Sequence, residues 1–446
     1  MSSAVEPPTP REVAPQRAET ADVRRAVVAA SIGNFVEWFD FGFYGYLAAT
    51  LSVVFFPSDN PTTGLLATFA VFGAAFVMRP LGAIYFGSVG DRIGRNRVLA
   101  VTVLAMSAAT FAVGLLPTYS AIGMWAPLLL LALRMIQGFA AGGEPGGAAT
   151  FLAEYSPAHR RGFTVSFWHF SSFAALICSA GLTLCLFAAT TDAQMQTWGW
   201  RIPFLIALPA GVIGLYLRLR IDDTPEFRRL ERAGKSAKAP LREGVSKDLR
   251  PMLQTFFLAA LQQFGFYTVF VYIAIYVVAE ADQSSGAGSF VTIVAVTVAM
   301  AIVSPAGALS DKVGRKPVLA GSCIAMAALA WPMLTLLTHS SLAIAVLAAA
   351  VLAVPLAMFM GAAGATLPEM FPSARRYSGM SLSFGLASAA FGGTAPYLAT
   401  WMIAQTSNPL APAYLLAGAA VISFIATLSL RETAGLDLST IGSVDR

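Results

Sequence analysis

Long apolar runs alternate with short polar clusters along the whole chain. The runs lie at about 27–55, 62–89, 97–116, 121–153, 163–189, 200–219, 251–279, 288–310, 316–337, 341–366, 376–404 and 411–430. Each reaches the ~18–20 residues that cross a bilayer as a helix. Unbroken runs argue against a closed β-barrel, whose strands would alternate apolar and polar positions. The pattern therefore predicts an all-α membrane protein with twelve transmembrane helices. Composition agrees: 57% of the 446 residues are hydrophobic and 12% are charged, against about 25% charged in soluble proteins.

The polar clusters differ from one another in sign. Lys and Arg gather at Arg11–Arg25, Arg92–Arg97, Arg160–Arg161, Arg218–Arg250, Lys312–Lys316 and Arg375–Arg376. The alternate loops contain acids but no Lys or Arg. The positive-inside rule then places both termini and the long central loop in the cytoplasm. The net charge of +5 thus follows membrane topology and calls for no nucleic acid. Cys178, Cys185 and Cys323 offer no disulfide framework and read as packing residues. Residues 1–25 read as a disordered cytoplasmic tail, and no cleavable signal is recognised there.

Two segments return. GSVGDRIGRNRVL (Gly87–Leu99) reappears as GALSDKVGRKPVL (Gly307–Leu319), and AEYSPAHRRGFTVS (Ala153–Ser166) as PEMFPSARRYSGMS (Pro368–Ser381). The chain is expected to be two six-helix pseudo-repeats, 26–219 and 251–430, joined by a linker at 220–250 and followed by a short tail at 431–446. Parallel repeats of this kind place a cavity between the halves near mid-membrane. Ala-Gly-Lys-Ser at 233–236 is no phosphate loop, because the glycine such a loop needs at position 229 is Arg. No metal-ligand spacing, cofactor motif or enzyme-like nucleophile–base pair stands out.

The G-x-x-x-D-R-x-G-R loop and Arg134-Met-Ile-Gln137-Gly138 resemble the motifs of the major facilitator superfamily. GNFVEWFDFGFYGYLA (Gly33–Ala48), GGEPGGAATFLAEYSP (Gly142–Pro157) and WGWRIPF (Trp198–Phe204) are similar to its metabolite:proton symporter branch, which includes citrate, α-ketoglutarate, shikimate and proline/betaine transporters. The resemblance implies the major facilitator fold and a cytoplasmic gate at the repeated loops. That gate would use Gly87, Asp91, Arg92, Gly94, Arg95 and Glu154 in one half, and Asp311, Arg315 and Glu369 in the other. The charges alternatively do no more than set topology.

Ionisable residues inside spans cost several kcal/mol unless paired, so each is a functional candidate. Glu37 and Asp40 lie in the first span, Arg79 in the second, Arg134 in the fourth. One expectation is that Asp40 or Glu37 carries a coupled proton with Arg134 as switchable partner, as the resemblance implies. The other is a permanent salt bridge. Glu144 is a second proton carrier or a partner for Arg79. Gly138, Gly142 and Gly146 form a row suited to close packing. Asn34, Trp38, Arg79, His169, Gln262, Gln263 and Tyr267 are candidates for binding solute. Trp38, Trp168, Phe264 and Tyr267 could cage a quaternary ammonium.

The expected protein is a monomeric, proton-coupled symporter of a bacterial inner membrane. It would import a small carboxylate-bearing metabolite, either an organic acid anion or a zwitterion such as proline or betaine, by alternating access. A proton-independent facilitator or exporter on the same fold, or a transport-dead receptor, are the alternatives.

Overall fold

The computed structural model describes residues 20–93, 95–218, 248–339, 341–373 and 375–438. Gly94, most of the 220–250 linker and most of both tails lie outside the described residues. So do the side chains of Asp91, Arg92, Arg95 and Glu144.

Twelve helical rods appear among the described residues. In the first half, α1 runs Thr20–Tyr46 and resumes past Leu47 as Ala48–Phe55. It is followed by α2 (Pro61–Ile93), α3 (Arg95–Leu115), α4 (Trp125–Tyr155), α5 (Ala158–Ala189) and α6 (Arg201–Arg218). In the second half, α7 is Leu249–Glu280, α8 Ser285–Val313, α9 Arg315–Leu337 and α10 Leu342–Glu369. There α11 runs Arg376–Ala387 and, after a π-helical turn at Ser388–Gly392, continues as Ala395–Thr406; α12 is Ala411–Ser429.

Among the described residues, nine helices are long and apolar enough to cross a membrane by length and composition alone. The other three have identifiable interruptions. α1 carries Glu37 and Asp40 and breaks at Leu47, the apolar part of α3 is the short stretch Ala100–Leu115, and α11 is divided by its π turn.

Burial shows where each rod sits. Large apolar side chains such as Val77, Val101, Ile213, Ile324, Leu347 and Ile425 are exposed, a surface suited to lipid rather than water. By contrast, α7 is buried on every side from Leu258 to Val277. A helix buried all round belongs at the centre of a bundle, and α7 lies there, packed on α8, α11 and α12 and reaching α1. Cys323 is buried, but Cys178 and Cys185 lie on the exposed face of α5, so the packing role expected of those two does not hold.

Glycines set the closest approaches. Gly138 and Gly142 of α4 lie against the backbone carbonyls of Ala75 and Arg79, so any side chain there would strike α2. Gly146 instead faces Ser381 of α11, in the other half. At Gly314 the chain turns with φ +103°, a conformation an L side chain rarely adopts. Arg201 donates to the carbonyls of Gly114 and Leu116 at 2.8 and 2.7 Å, capping the carboxyl end of α3.

Candidate functional site

The two acids of α1 go to different partners. Residues three apart on a helix are offset by about 60° around it, enough to divide them between neighbours. Glu37 pairs with Arg79 of α2 at 3.3 Å, both almost fully buried. The Arg79 guanidinium sits between the rings of Phe41 and Phe76, 4.6 and 4.3 Å from their centroids. Its Nη1 donates at 3.3 Å to Ser388 Oγ in the π turn of α11. Ser388 also accepts from Gln263 Nε2 of α7 at 2.7 Å. Glu37, Arg79, Ser388 and Gln263 thus form a polar chain that crosses from one half to the other.

Asp40 points into the first half. Its Oδ2 lies 3.7 Å from Arg134 Nη1 and accepts from Gln137 Nε2 at 3.1 Å; Gln137 also donates to Thr110 at 2.6 Å. Arg134 stacks on Tyr44, 3.9 Å from the ring centroid. Asp40 Oδ1 and all three Arg134 guanidinium nitrogens make no hydrogen bond among the described residues. The pair is therefore held by charge and by the aromatic face. The carboxylate keeps its bond from Gln137, so the contact between Asp40 and Arg134 itself rests on charge.

Between the halves, at the level of Gln263, lies a small cavity of about 10 Å³, room for one water at most. Trp38, Trp168 and His169 line it from the first half; Gln262, Gln263, Phe266, Met360 and Phe384 line it from the second. Gln262 Nε2 is 3.4 Å from His169 Nε2. Trp38 packs on Phe266 at 4.5 Å between centroids, and Trp168 on Phe384 at 5.6 Å. Tyr267 closes the side towards Arg79, with its ring 5.1 Å from that of Phe76. Asn34 bonds to both tryptophans. Phe264 is buried but does not line the cavity; Phe266, two residues on, does.

The cytoplasmic end is latched. Arg161 Nη1 reaches Glu369 at 2.9 Å, and Arg376 Nη1 reaches Glu154 at 3.3 Å. Glu154 and Glu369 occupy matching places in the repeated segments, as do Arg161 and Arg376. Each half's glutamate therefore takes the other half's second arginine. Asp311 accepts from the backbone N–H groups of Gly162 and Phe163 at 2.7 and 2.9 Å, and pairs with Arg315 at 2.9 Å. Arg315 also bonds Glu369 at 3.1 Å.

The segment after α12 runs beneath this network. Glu432 accepts from the backbone N–H groups of Arg315 and Lys316, Thr433 donates to Glu369 at 2.6 Å, and Arg161 donates to the Leu436 carbonyl. Gly87 lies near the Tyr377 ring of the other half, and Tyr377 donates to the Gly143 carbonyl at 2.7 Å. At the opposite end a cavity of about 390 Å³ remains between the halves, lined by Thr50, Leu184, Asp192 and Ser284 among others. Below it Tyr46 OH donates to the Phe270 carbonyl at 2.8 Å. The molecule is thus closed at the centre and on its cytoplasmic side.

Of the sequence candidates, Glu37, Arg79, Gln263 and Tyr267 come together at one place and Trp38, His169 and Gln262 at the adjoining cavity; Asp40 and Arg134 meet separately. Sequence reasoning missed Arg161, Arg376, Ser388, Phe266, Phe384 and Glu432. The doublets Arg160–Arg161 and Arg375–Arg376 stood at the same position of the repeat and could have revealed the first two.

Two six-helix halves closed over a central cleft, with ion pairs at mid-depth and crossed latches at one end, make a multi-pass membrane transporter of the major facilitator class. The chain belongs to the family described as "Sugar (and other) transporter", whose model matches residues 26–251 and 238–444. It is 39% identical over 426 residues to the proline/betaine transporter of Salmonella typhimurium, covering 93% of this chain and 85% of that one. It is 38% identical to the glycine betaine/proline/ectoine/pipecolic acid transporter OusA of Dickeya dadantii, with the same coverage. Among solved structures, the proton:xylose symporter XylE bound to 6-bromo-6-deoxy-D-glucose superposes with a TM-score of 0.77 at 19% identity, over 95% of this chain and 99% of that one. These relatives are bacterial transporters, and the chain is a transporter of the bacterial inner membrane rather than an enzyme.

Proposed function

We propose that the protein is a proton-coupled symporter that imports a small zwitterion carrying a carboxylate and a quaternary or secondary ammonium, of the proline and betaine kind. The observation that carries this reading is the cleft itself: an aromatic box adjoining a buried arginine. Trp38, Trp168, Phe266 and Phe384 line the cleft from both halves, and a ring face turned to a cation attracts it by about 0.5–2 kcal/mol. Among the described lining residues there is no carboxylate, which suits an ammonium whose charge is spread over methyl or ring carbons. Arg79, reached through Gln263 and Ser388, suits the carboxylate at the other end of the solute. The names of the relatives point to the same solute class.

Asp40 is the proposed proton carrier. It is insulated from the solute cleft, and its only cationic partner among the described ion pairs is Arg134. Glu37 is the proposed resident partner of Arg79, released when the solute carboxylate takes its place. Solute contacts from both halves would favour closure of the cleft, and the crossed latches hold the cytoplasmic side shut until the halves rock.

The test is uptake of labelled glycine betaine and proline into proteoliposomes. An inwardly directed proton gradient should drive accumulation above equilibrium, and a protonophore should abolish it. Uptake that never exceeds equilibrium would contradict symport, and absence of uptake for both solutes would contradict the solute class.

A further inference from the structure

Asn34 stood among the candidates for touching solute, but its side chain has no bonding capacity left. Its Oδ1 accepts from the indole N–H of Trp38 at 3.0 Å and from that of Trp168 at 2.9 Å. A carbonyl oxygen has two lone pairs, and both are engaged. Its Nδ2 lies 2.8 Å from the Trp168 carbonyl, 2.8 Å from Ser171 Oγ and 2.7 Å from Ser172 Oγ. Two amide hydrogens facing three acceptors are likewise fully employed. Two indole donors on one side and a backbone carbonyl on the other also fix which amide atom is oxygen, since a flipped amide would set donors against donors. Asn34 is 1% exposed.

We infer that Asn34 is a positioning residue that sets the specificity of the cleft by locking Trp38 and Trp168 together as one wall for an ammonium group. Trp38 comes from α1 and Trp168 from α5, and one amide ties both indoles to the backbone of α5. A ring attracts a cation only over its face, so the angle of each indole decides whether the box binds. Each indole N–H would also be a buried unpaired donor without this oxygen, costing the wall its single conformation. The two phenylalanines opposite have no polar handle, so the half containing Asn34 supplies the fixed side of the box.

The inference rests on the reading of the cleft as an ammonium site, and its test separates the two. In proteoliposomes, Asn34→Leu keeps the number and branching of side-chain heavy atoms and removes every hydrogen bond of the amide. Its KM for glycine betaine should rise about tenfold or more while the maximal rate stays within about threefold. The decisive arm is a double-mutant cycle. In a Trp38→Phe/Trp168→Phe background, where no indole N–H remains to be held, Asn34→Leu should change KM by less than about twofold. A full tenfold loss in that background would show that Asn34 acts on solute directly and would overturn the inference. If the unsubstituted protein shows no saturable uptake of betaine, the functional reading fails instead.

Discussion

At the scale of single residues, each buried charge is set apart by how it is partnered. Arg79 is held by one carboxylate, two ring faces and a hydroxyl from the opposite half. Removing one member of a buried pair leaves an uncompensated charge and costs about 3–5 kcal/mol. Arg79→Met should therefore lower thermal stability in detergent strongly and abolish uptake. Glu37→Gln/Arg79→Met, which removes both charges, should regain most of the stability but none of the transport. Recovery of uptake in the double variant would show the pair to be a packing device. The sequence displayed these four charges, because ionisable residues inside apolar runs stand out. It did not show their pairing. Glu37 and Asp40 sit on neighbouring faces of α1, and only the packing of α2 and α4 decides that one meets Arg79 and the other Arg134.

At the scale of elements, the span count and the internal repeat were legible because the bilayer imposes a length on every helix. The π turns at Thr268–Tyr272 in α7 and Ser388–Gly392 in α11 were not legible, since their sequences carry neither proline nor a charged residue. They matter because one exposes the Phe270 carbonyl to Tyr46 and the other delivers Ser388 to Arg79. The segment after α12 was likewise read as a short tail, whereas Glu432 ties it to the start of α9. Burial pushes the Glu432 carboxyl up, but backbone N–H bonds from Arg315, Ala434, Lys316 and Thr433 together outweigh it and hold the group below its ordinary 4.5. The folded state thus favours the carboxylate. Its contribution is whole above pH 4.5 and is lost as pH falls through the lower folded value. The melting temperature of the unsubstituted protein should exceed that of Glu432→Gln at neutral pH, with the gap closing under acid. A gap that is absent at neutral pH, or that widens on acidification, would contradict this placement.

At the scale of the whole molecule, the two repeats work against each other through exchanged partners. Glu154 with Arg376 and Glu369 with Arg161 are the same contact made twice with the halves reversed. These pairs are buried while the halves are closed, but they lie at the cytoplasmic rim, where water can receive the charges once the halves part. The mid-membrane pairs have no water to receive them, so they must change protonation or partner before the halves move. In the proposed mechanism this division of labour rests on Asp40, the proposed proton carrier. The most direct measurement compares Asp40→Asn with the unsubstituted protein in the same proteoliposomes, reading both counterflow exchange of betaine and its accumulation under an imposed proton gradient. Exchange that persists while gradient-driven accumulation disappears is the predicted result; accumulation retained at the level of the unsubstituted protein would contradict the account.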